Sequence, residues 1–170
     1  MKLFIFLIFI LSALYSCKEP VKSAPTSKIS EAKILYEKNL ASLKKGISAF
    51  ENKKINEWAE TVADTTIWNS PSYGSSPAGK EDWKKMLITY ITDWDSLKLK
   101  YPDFLPGIDS ATHEFDGSVR YYGIWEGIYK SGVRTSVNMY ATYDFNKDGK
   151  VVNASEFFDV GGLMNTIKKK

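Results

Sequence analysis

The 170-residue chain contains one cysteine and one histidine, Cys17 and His113. A single cysteine cannot form an internal disulfide, and the two residues together provide no cluster of sulfur and nitrogen ligands for a metal. The sequence also has no glycine-rich phosphate loop and no serine in a nucleophile elbow. We therefore expect neither a metal nor another cofactor.

Neither sign of charge dominates. The chain has 23 basic and 20 acidic residues, a net charge of +3, and part of this excess lies in a basic tail at residues 168–170. A mild excess spread along the chain is not the charge pattern of a protein that binds nucleic acid. We do not expect nucleic acid to be a partner.

The only long apolar run occupies residues 3–14, after Lys2, and is followed by Tyr15, Ser16 and Cys17. A run of this length predicts a secretory signal, because it is too short to cross a bilayer core of ~30 Å. Leu-Tyr-Ser-Cys resembles the lipobox of bacterial lipoproteins, in which the cysteine becomes lipidated. We expect residues 1–16 to be a signal peptide and Cys17 to carry a lipid anchor; the alternative is an ordinary signal peptide followed by a chance cysteine.

Residues 17–30 are rich in proline, serine, lysine and threonine, which predicts a flexible tether. Lys-Glu-Pro after Cys17 resembles the export tag of some Bacteroidetes surface lipoproteins. We expect an exported protein anchored to a bacterial membrane, with the outer membrane favoured and the leaflet left open. Residues 31–167 have the size of one domain.

The domain opens with segments of helical periodicity and closes with strands. Helices are predicted from Ser30, as N-cap, to Glu51, then at residues 55–63 and 80–94. A short strand ends before Pro71, residues 105–118 are predicted to form a loop, and three antiparallel strands follow. This order predicts an α+β fold with helices packed on one face of a curved sheet.

One stretch looks like a calcium-binding loop. The first, third, fifth and sixth positions of the EF-hand pattern are occupied by Asp144, Asn146, Asp148 and Gly149. The twelfth position, however, is Ser155, which cannot chelate, and Glu156 comes one residue late and on the opposite face of an extended segment. The flanking segments are strand-like, so we predict a β-hairpin turn.

The order of these motifs resembles the SnoaL-like branch of the nuclear transport factor 2-like superfamily. The resemblance rests on "WAETVADTTIWNSP", "GKEDW", "YDFNKDGKVV" and "SEFFD", and it extends over residues 31–163. It implies a cone-shaped fold in which a curved sheet and helices enclose an apolar pocket, often paired into dimers through the sheet. It does not imply one activity, because the superfamily includes isomerases, cyclases, dehydratases, binding domains and oligomerisation modules.

Ketosteroid-isomerase-like chemistry needs a carboxylate after the first strand and an acidic donor on a later strand. The corresponding segments here, residues 68–71 and 139–142, contain neither. Cyclase-like members use an acidic pocket residue, for which Asp159 is the candidate; the alternative is that it ends the last strand in solvent. His113 is a second candidate base, although a histidine in a loop is more often solvated.

The aromatic content of 14% suggests a pocket for a small, partly apolar ligand. The resemblance implies that the lining includes Trp58, Trp68, Tyr73, Trp125 and Tyr140. We therefore favour a ligand-binding domain and keep two alternatives: a cofactor-free cyclase, isomerase or lyase, and a non-catalytic module that dimerises through its sheet. The module that dimerises is suggested by one strand face that could pack against a partner. Its residues are Ser136, Asn138, Tyr140 and Thr142.

Overall fold

The computed structural model describes residues 26–168. The predicted signal peptide, Cys17 and most of the predicted tether lie outside this range. The described helices are α1 (Thr26–Glu51), α2 (Ile55–Glu60), α3 (Lys80–Asp93) and α4 (Val160–Lys168). The described strands are β1 (Val62–Asn69), β2 (Trp94–Ile108), β3 (Phe115–Tyr129), β4 (Arg134–Phe145) and β5 (Val151–Phe157).

The strands form one sheet in the order β1-β5-β4-β3-β2. Strands β2 to β5 pair antiparallel in succession, and β1 joins β5 in parallel. Helices cover the inner face of this curved, mostly antiparallel sheet. The predicted α+β fold is confirmed.

Alternation along the central strands separates the two faces of the sheet. On β4, Thr135, Met139 and Tyr143 point inward and are buried, whereas Ser136 and Asn138 between them are exposed. This period of two is expected for a sheet with one face against the core. Helices α1, α2 and α3 cover the inner face, which therefore borders the core of the protein.

Three boundaries differ from the sequence prediction, at α1, α2 and α3. Helix α2, predicted over residues 55–63, ends at Glu60, and β1 begins at Val62. Helix α1 begins at Thr26, four residues before the predicted cap at Ser30. Trp94, predicted as the last residue of a helical stripe, has extended backbone angles and begins β2. Gly127 on β3 makes room for the Trp94 indole, since a Cβ there would lie 2.7 Å from Trp94 Cδ1.

The loop predicted at residues 105–118 is wrong over most of its length. Strand β2 continues to Ile108 and β3 already begins at Phe115, with Pro106 paired to Val119. Proline and glycine suggested a loop, but β2 is an edge strand of the sheet. An edge strand tolerates proline because the missing N–H can face away from the ladder.

The hairpin predicted at Asn146–Gly149 is confirmed. The Asn146 amide donates to the Lys150 carbonyl at 2.9 Å, and Gly149 has a φ of 77°. Asn146 Oδ1 accepts from the amides of Asp148 and Lys150, both at 3.0 Å. The asparagine oxygen thus organises the turn itself, as asparagine commonly does.

None of the described helices combines the length and apolar composition needed to cross a bilayer.

Candidate functional site

A cavity of about 110 Å³ lies between the inner face of the sheet and the helices. Its wall is mainly aromatic and aliphatic and includes Phe50, Trp58, Trp83, Trp94, Trp125 and Met139. Water needs polar partners as well as room, and an apolar wall supplies few of them. Its volume is well below that of pockets for drug-sized ligands, so a small, largely apolar molecule is the kind of ligand that suits it.

Among residues 26–168, Glu156 is the only carboxylic acid in the cavity wall. Its Oε2 accepts from Trp68 Nε1 at 3.1 Å and its Oε1 accepts from the Tyr143 hydroxyl at 3.4 Å. Burial raises the pKa of this carboxyl to about 7, and the two hydrogen bonds only partly oppose that rise. Glu156 therefore changes its charge close to neutral pH, as a general acid or base must.

Two buried tyrosines continue the polar network from Glu156 across the sheet. The rings of Tyr143 and Tyr121 are stacked with centroids 6.1 Å apart, and Trp125 Nε1 donates to the Tyr121 hydroxyl at 3.0 Å. Burial raises the pKa of both phenols, with Glu156 adding to the effect. Both tyrosines are therefore neutral near pH 7 and can act as hydrogen-bond donors.

Trp83, from α3, packs over β5 between two residues that bond to the acid. Trp68 and Tyr143 are the sheet neighbours of Ala154 on either side. Their rings lie nearly parallel to the Trp83 ring, at angles of 6° and 19° and centroid distances of 5.8 and 6.4 Å. Glu156 lies two residues after Ala154 on β5, so this stack holds Trp83 in the same part of the cavity wall as Glu156.

The structure brings three of the five predicted aromatic residues to this site. Trp58 and Trp125 lie in the cavity wall. Trp68 lies behind it, 4% exposed, with its indole N–H on Glu156. These residues come from α2, β1 and β3, so the fold gathers rings that are distant in sequence.

Tyr73 and Tyr140 lie elsewhere. Tyr73 is fully exposed in the connection between β1 and α3. Tyr140 lies on the outer face of the sheet, where its ring stacks against Tyr122 at 4.7 Å and Phe157 at 5.7 Å. Inward residues Met139 and Ala141 flank it on β4, and the period of two therefore directs Tyr140 away from the cavity.

The structure also places both sequence-predicted acid–base candidates outside the cavity wall. Asp159 is exposed before α4, and its Oδ1 accepts from the Gly162 amide at 2.7 Å. That is the geometry of a helix cap. His113 is exposed in the turn between β2 and β3, where its amide donates to the Asp109 carbonyl at 2.9 Å.

Sequence reasoning missed Glu156 as a site residue, although the signal was present. The comparison with a calcium loop had already placed Glu156 on the face opposite Ser155. In β5, Ala154 and Glu156 share one face, and Phe158 continues the same alternation into the cavity wall. An acid that alternates with apolar inward residues is a better candidate than one at the end of the strand.

Among residues 26–168, no three histidine, cysteine, aspartate or glutamate side chains are grouped so that they could hold a metal ion.

Comparisons with known proteins identify the fold but not a close relative. No protein-family profile matches the chain, and no curated protein matches it. Several solved structures are similar in fold, and they range from candidate enzymes to a protein of unknown function.

A candidate isomerase from Bacillus subtilis has a TM-score of 0.64 and 16% identity, over 80% of this chain and 96% of its own. A candidate SnoaL-like polyketide cyclase from Shewanella denitrificans has a TM-score of 0.62 and 6% identity, over 78% and 98%. A nuclear transport factor 2-like protein of unknown function from Burkholderia pseudomallei has a TM-score of 0.59 and 16% identity, over 76% and 97%. At these identities the likeness establishes the nuclear transport factor 2-like fold alone.

Proposed function

We propose that this protein binds a small, largely apolar molecule in the cavity between its helices and its sheet. The observation that carries the proposal is an aromatic-walled cavity with one carboxyl group in its wall. The likeness in fold to a candidate SnoaL-like polyketide cyclase supports the proposal, since a polyketide is a small molecule.

The binding proposal can be tested by extracting the purified protein with organic solvent and analysing the extract by mass spectrometry. We expect a small molecule in stoichiometric amount. Val137→Phe, which adds volume to the cavity wall, should abolish it. Asn138→Phe adds the same ring to the exposed outer face and should retain it. Extracts that contain no small molecule, or equal retention by both variants, would contradict the proposal.

A second candidate function is cofactor-free proton transfer by Glu156. A carboxyl group whose pKa is raised to about 7 can take a proton at neutral pH and return it. In such a step the carboxylate removes a proton from a carbon next to a carbonyl. The C–H electron pair becomes a C=C bond, and the carbonyl π pair moves to oxygen; proton return to carbon reverses the change.

This chemistry can be measured without knowledge of the natural substrate. Acetophenone incubated with the protein in D₂O should exchange its methyl hydrogens for deuterium, observed as loss of the methyl proton signal by NMR. Glu156→Gln should reduce the catalysed exchange to the background rate. Glu126→Gln changes an exposed carboxylate of β3 and should leave the exchange unchanged. Equal exchange with Glu156→Gln would exclude Glu156 as the base.

We also propose that the domain is exported and anchored to a bacterial membrane through a lipid on Cys17. The support is the apolar run at residues 3–14 and the Leu-Tyr-Ser-Cys segment that follows it. Each buried methylene of an acyl chain contributes about 0.8 kcal/mol, so a multiply acylated cysteine holds a protein stably at a bilayer.

Expression of the full chain in a bacterium tests the anchor. The protein should fractionate with membranes and incorporate labelled palmitate, and Cys17→Ser should abolish both properties. Ser23→Ala, a small change in the same segment, should preserve them. Membrane retention of Cys17→Ser would contradict the lipoprotein assignment.

A further inference from the structure

Trp83 carries a polar atom without a partner in the cavity wall. The residue is 3% exposed, and its indole Nε1 finds no hydrogen-bond acceptor among residues 26–168. Buried polar groups in folded proteins nearly always have a partner. An orphaned donor in the wall of a binding cavity therefore points to an acceptor that arrives with a ligand.

Three of the four other indoles near the cavity already have acceptors. Trp68 donates to Glu156, Trp94 to Thr135 and Trp125 to Tyr121, at distances between 2.9 and 3.1 Å. Each of these N–H groups helps to hold the wall together. Trp83 differs from them because its indole N–H makes no hydrogen bond within residues 26–168.

Within the described part of the chain, two further buried side-chain atoms lack partners, Asn39 Oδ1 and Thr66 Oγ1. Neither residue lies in the cavity wall. Asn39 is also held through its amide nitrogen, which donates to the Gly117 carbonyl at 2.8 Å. Trp83 therefore combines an orphaned polar atom with a side chain that lines the cavity.

The rings around Trp83 keep it from turning to find another acceptor. Trp68 and Tyr143 pack nearly parallel to its ring, and Trp58 meets it edge-on at 86° with a centroid distance of 5.0 Å. Trp68 and Tyr143 are fixed in turn by their bonds to Glu156. The indole is thus held in place before any ligand binds, and no free energy of ligand binding is needed to order it.

We propose that the Trp83 indole N–H is the anchor for a carbonyl oxygen of the bound molecule. The inference rests on the proposed ligand-binding function and narrows the ligand class to small apolar compounds that carry a carbonyl group beside their hydrocarbon part. Trp83 serves here as a residue that determines binding specificity.

Two probes of nearly the same shape test this assignment. Acetophenone has a carbonyl oxygen where α-methylstyrene has a methylene group. Both should enter the cavity, but acetophenone should bind roughly 5- to 10-fold more tightly, the ratio expected for one net hydrogen bond. In a ¹H–¹⁵N spectrum, acetophenone should move the Trp83 indole proton downfield, whereas α-methylstyrene should produce no such shift. Trp68, Trp94 and Trp125 provide internal controls because their indoles already have acceptors.

Two variants separate the hydrogen bond from the loss of ring volume. Trp83→Phe removes the N–H and should make the two affinities equal. Trp94→Phe removes another indole from the same wall, one whose N–H already bonds to Thr135, and should weaken both probes alike, so that their ratio is kept. The spectrum of the unmodified protein supplies the same answer if Trp83→Phe does not fold.

The outcomes distinguish this inference from the function on which it rests. Equal affinities with an unmoved Trp83 signal would overturn the anchor and leave ligand binding intact. If neither probe bound, both the binding proposal and the anchor would fall. A preference for acetophenone that persisted in a folded Trp83→Phe variant would assign the acceptor site to another residue.

Discussion

At the scale of single residues, Glu156 shows a competition between burial and hydrogen bonding. Removing a carboxylate from water favours its neutral form, whereas the donors Trp68 and Tyr143 favour the charged form. Burial is the larger effect, and it raises the pKa from 4.5 to about 7. The protein therefore has a less favourable folding free energy once Glu156 is ionised.

The stability of the protein should fall as pH rises through this window. Below pH 4.5 the carboxyl is protonated in both states and contributes nothing. Between 4.5 and about 7 the unfolded chain ionises first, which favours unfolding by up to about 3 kcal/mol above pH 7. Urea unfolding followed by tryptophan fluorescence should show Glu156→Gln gaining stability relative to the native chain across this interval.

The same experiment needs a variant that changes charge without changing burial. Glu126→Gln, on the exposed face of β3, should run parallel to the native chain at every pH. Parallel curves for Glu156→Gln as well would show that the carboxyl does not ionise differently in the folded state.

Residue identities in the site were only partly predictable from the sequence. Trp58 and Trp125 were expected near the ligand, and both lie in the cavity wall. The prediction named Asp159 as the pocket acid and considered Glu156 only as a calcium ligand. The face of a strand decides which side chains enter a cavity, and a single register carries Glu156 inward and Phe157 outward.

At the scale of elements, α4 links a surface cap to the cavity. Asp159 Oδ1 accepts from the Gly162 amide, and the following Leu163 lies in the cavity wall at 8% exposure. A capping side chain satisfies an amide that the helix leaves unpaired. The stability of the first turn of α4 should therefore influence how tightly the cavity is closed.

Replacing this cap should loosen α4 without removing chemistry from the site. Asp159→Ala is expected to cost about 0.5–2 kcal/mol and to speed hydrogen exchange of the α4 amides. Asp159→Ser retains a capping oxygen and should restore most of the protection. Hydrogen exchange measured by mass spectrometry checks both, and normal protection in Asp159→Ala would contradict the capping role.

The elements themselves were predicted best where periodicity or turn chemistry was distinct. The Asn146–Gly149 turn was predicted from its turn residues and helix α3 from its apolar periodicity; the turn is confirmed, and the helix is confirmed except at Trp94. The prediction failed at Pro106, where local composition indicated a loop. Pro106 can lie within a strand because β2 is an edge strand. That position is a property of the assembled sheet, and no short segment encodes it.

At the scale of the whole molecule, the sheet separates two kinds of aromatic residue. The inner face contributes Tyr121 and Tyr143 to the cavity network, and the outer face carries Tyr122, Tyr140 and Phe157. We call these last three the outer aromatic row. They are partners across β3, β4 and β5, and their rings stack in sequence. The order of helices and strands predicted this fold class, and alternation along β4 predicted the polar–aromatic strand face.

The outer aromatic row leads us to predict that two copies pair through their sheets. Tyr122 is 51% exposed and Phe157 is 55% exposed. Their rings form one contiguous patch with Tyr140, and a contiguous exposed patch marks an interaction surface more often than scattered apolar side chains do. Pairing would cover this row, while Ser136 and Asn138 on the same face would supply polar contacts. Light scattering should give the mass of a dimer at micromolar concentration.

Charge placed on the row tests the pairing directly. Phe157→Lys should shift the population towards monomer by at least tenfold in the dissociation constant, because an ammonium group would have to be desolvated in the interface. Tyr101→Lys alters an aromatic residue that is 82% exposed on the edge strand β2, outside the row, and should leave the mass unchanged. A monomer at micromolar concentration, or equal dimerisation of the Phe157→Lys variant, would exclude the outer aromatic row as the interface. Neither result would affect the cavity proposals, since they concern the opposite face of the sheet.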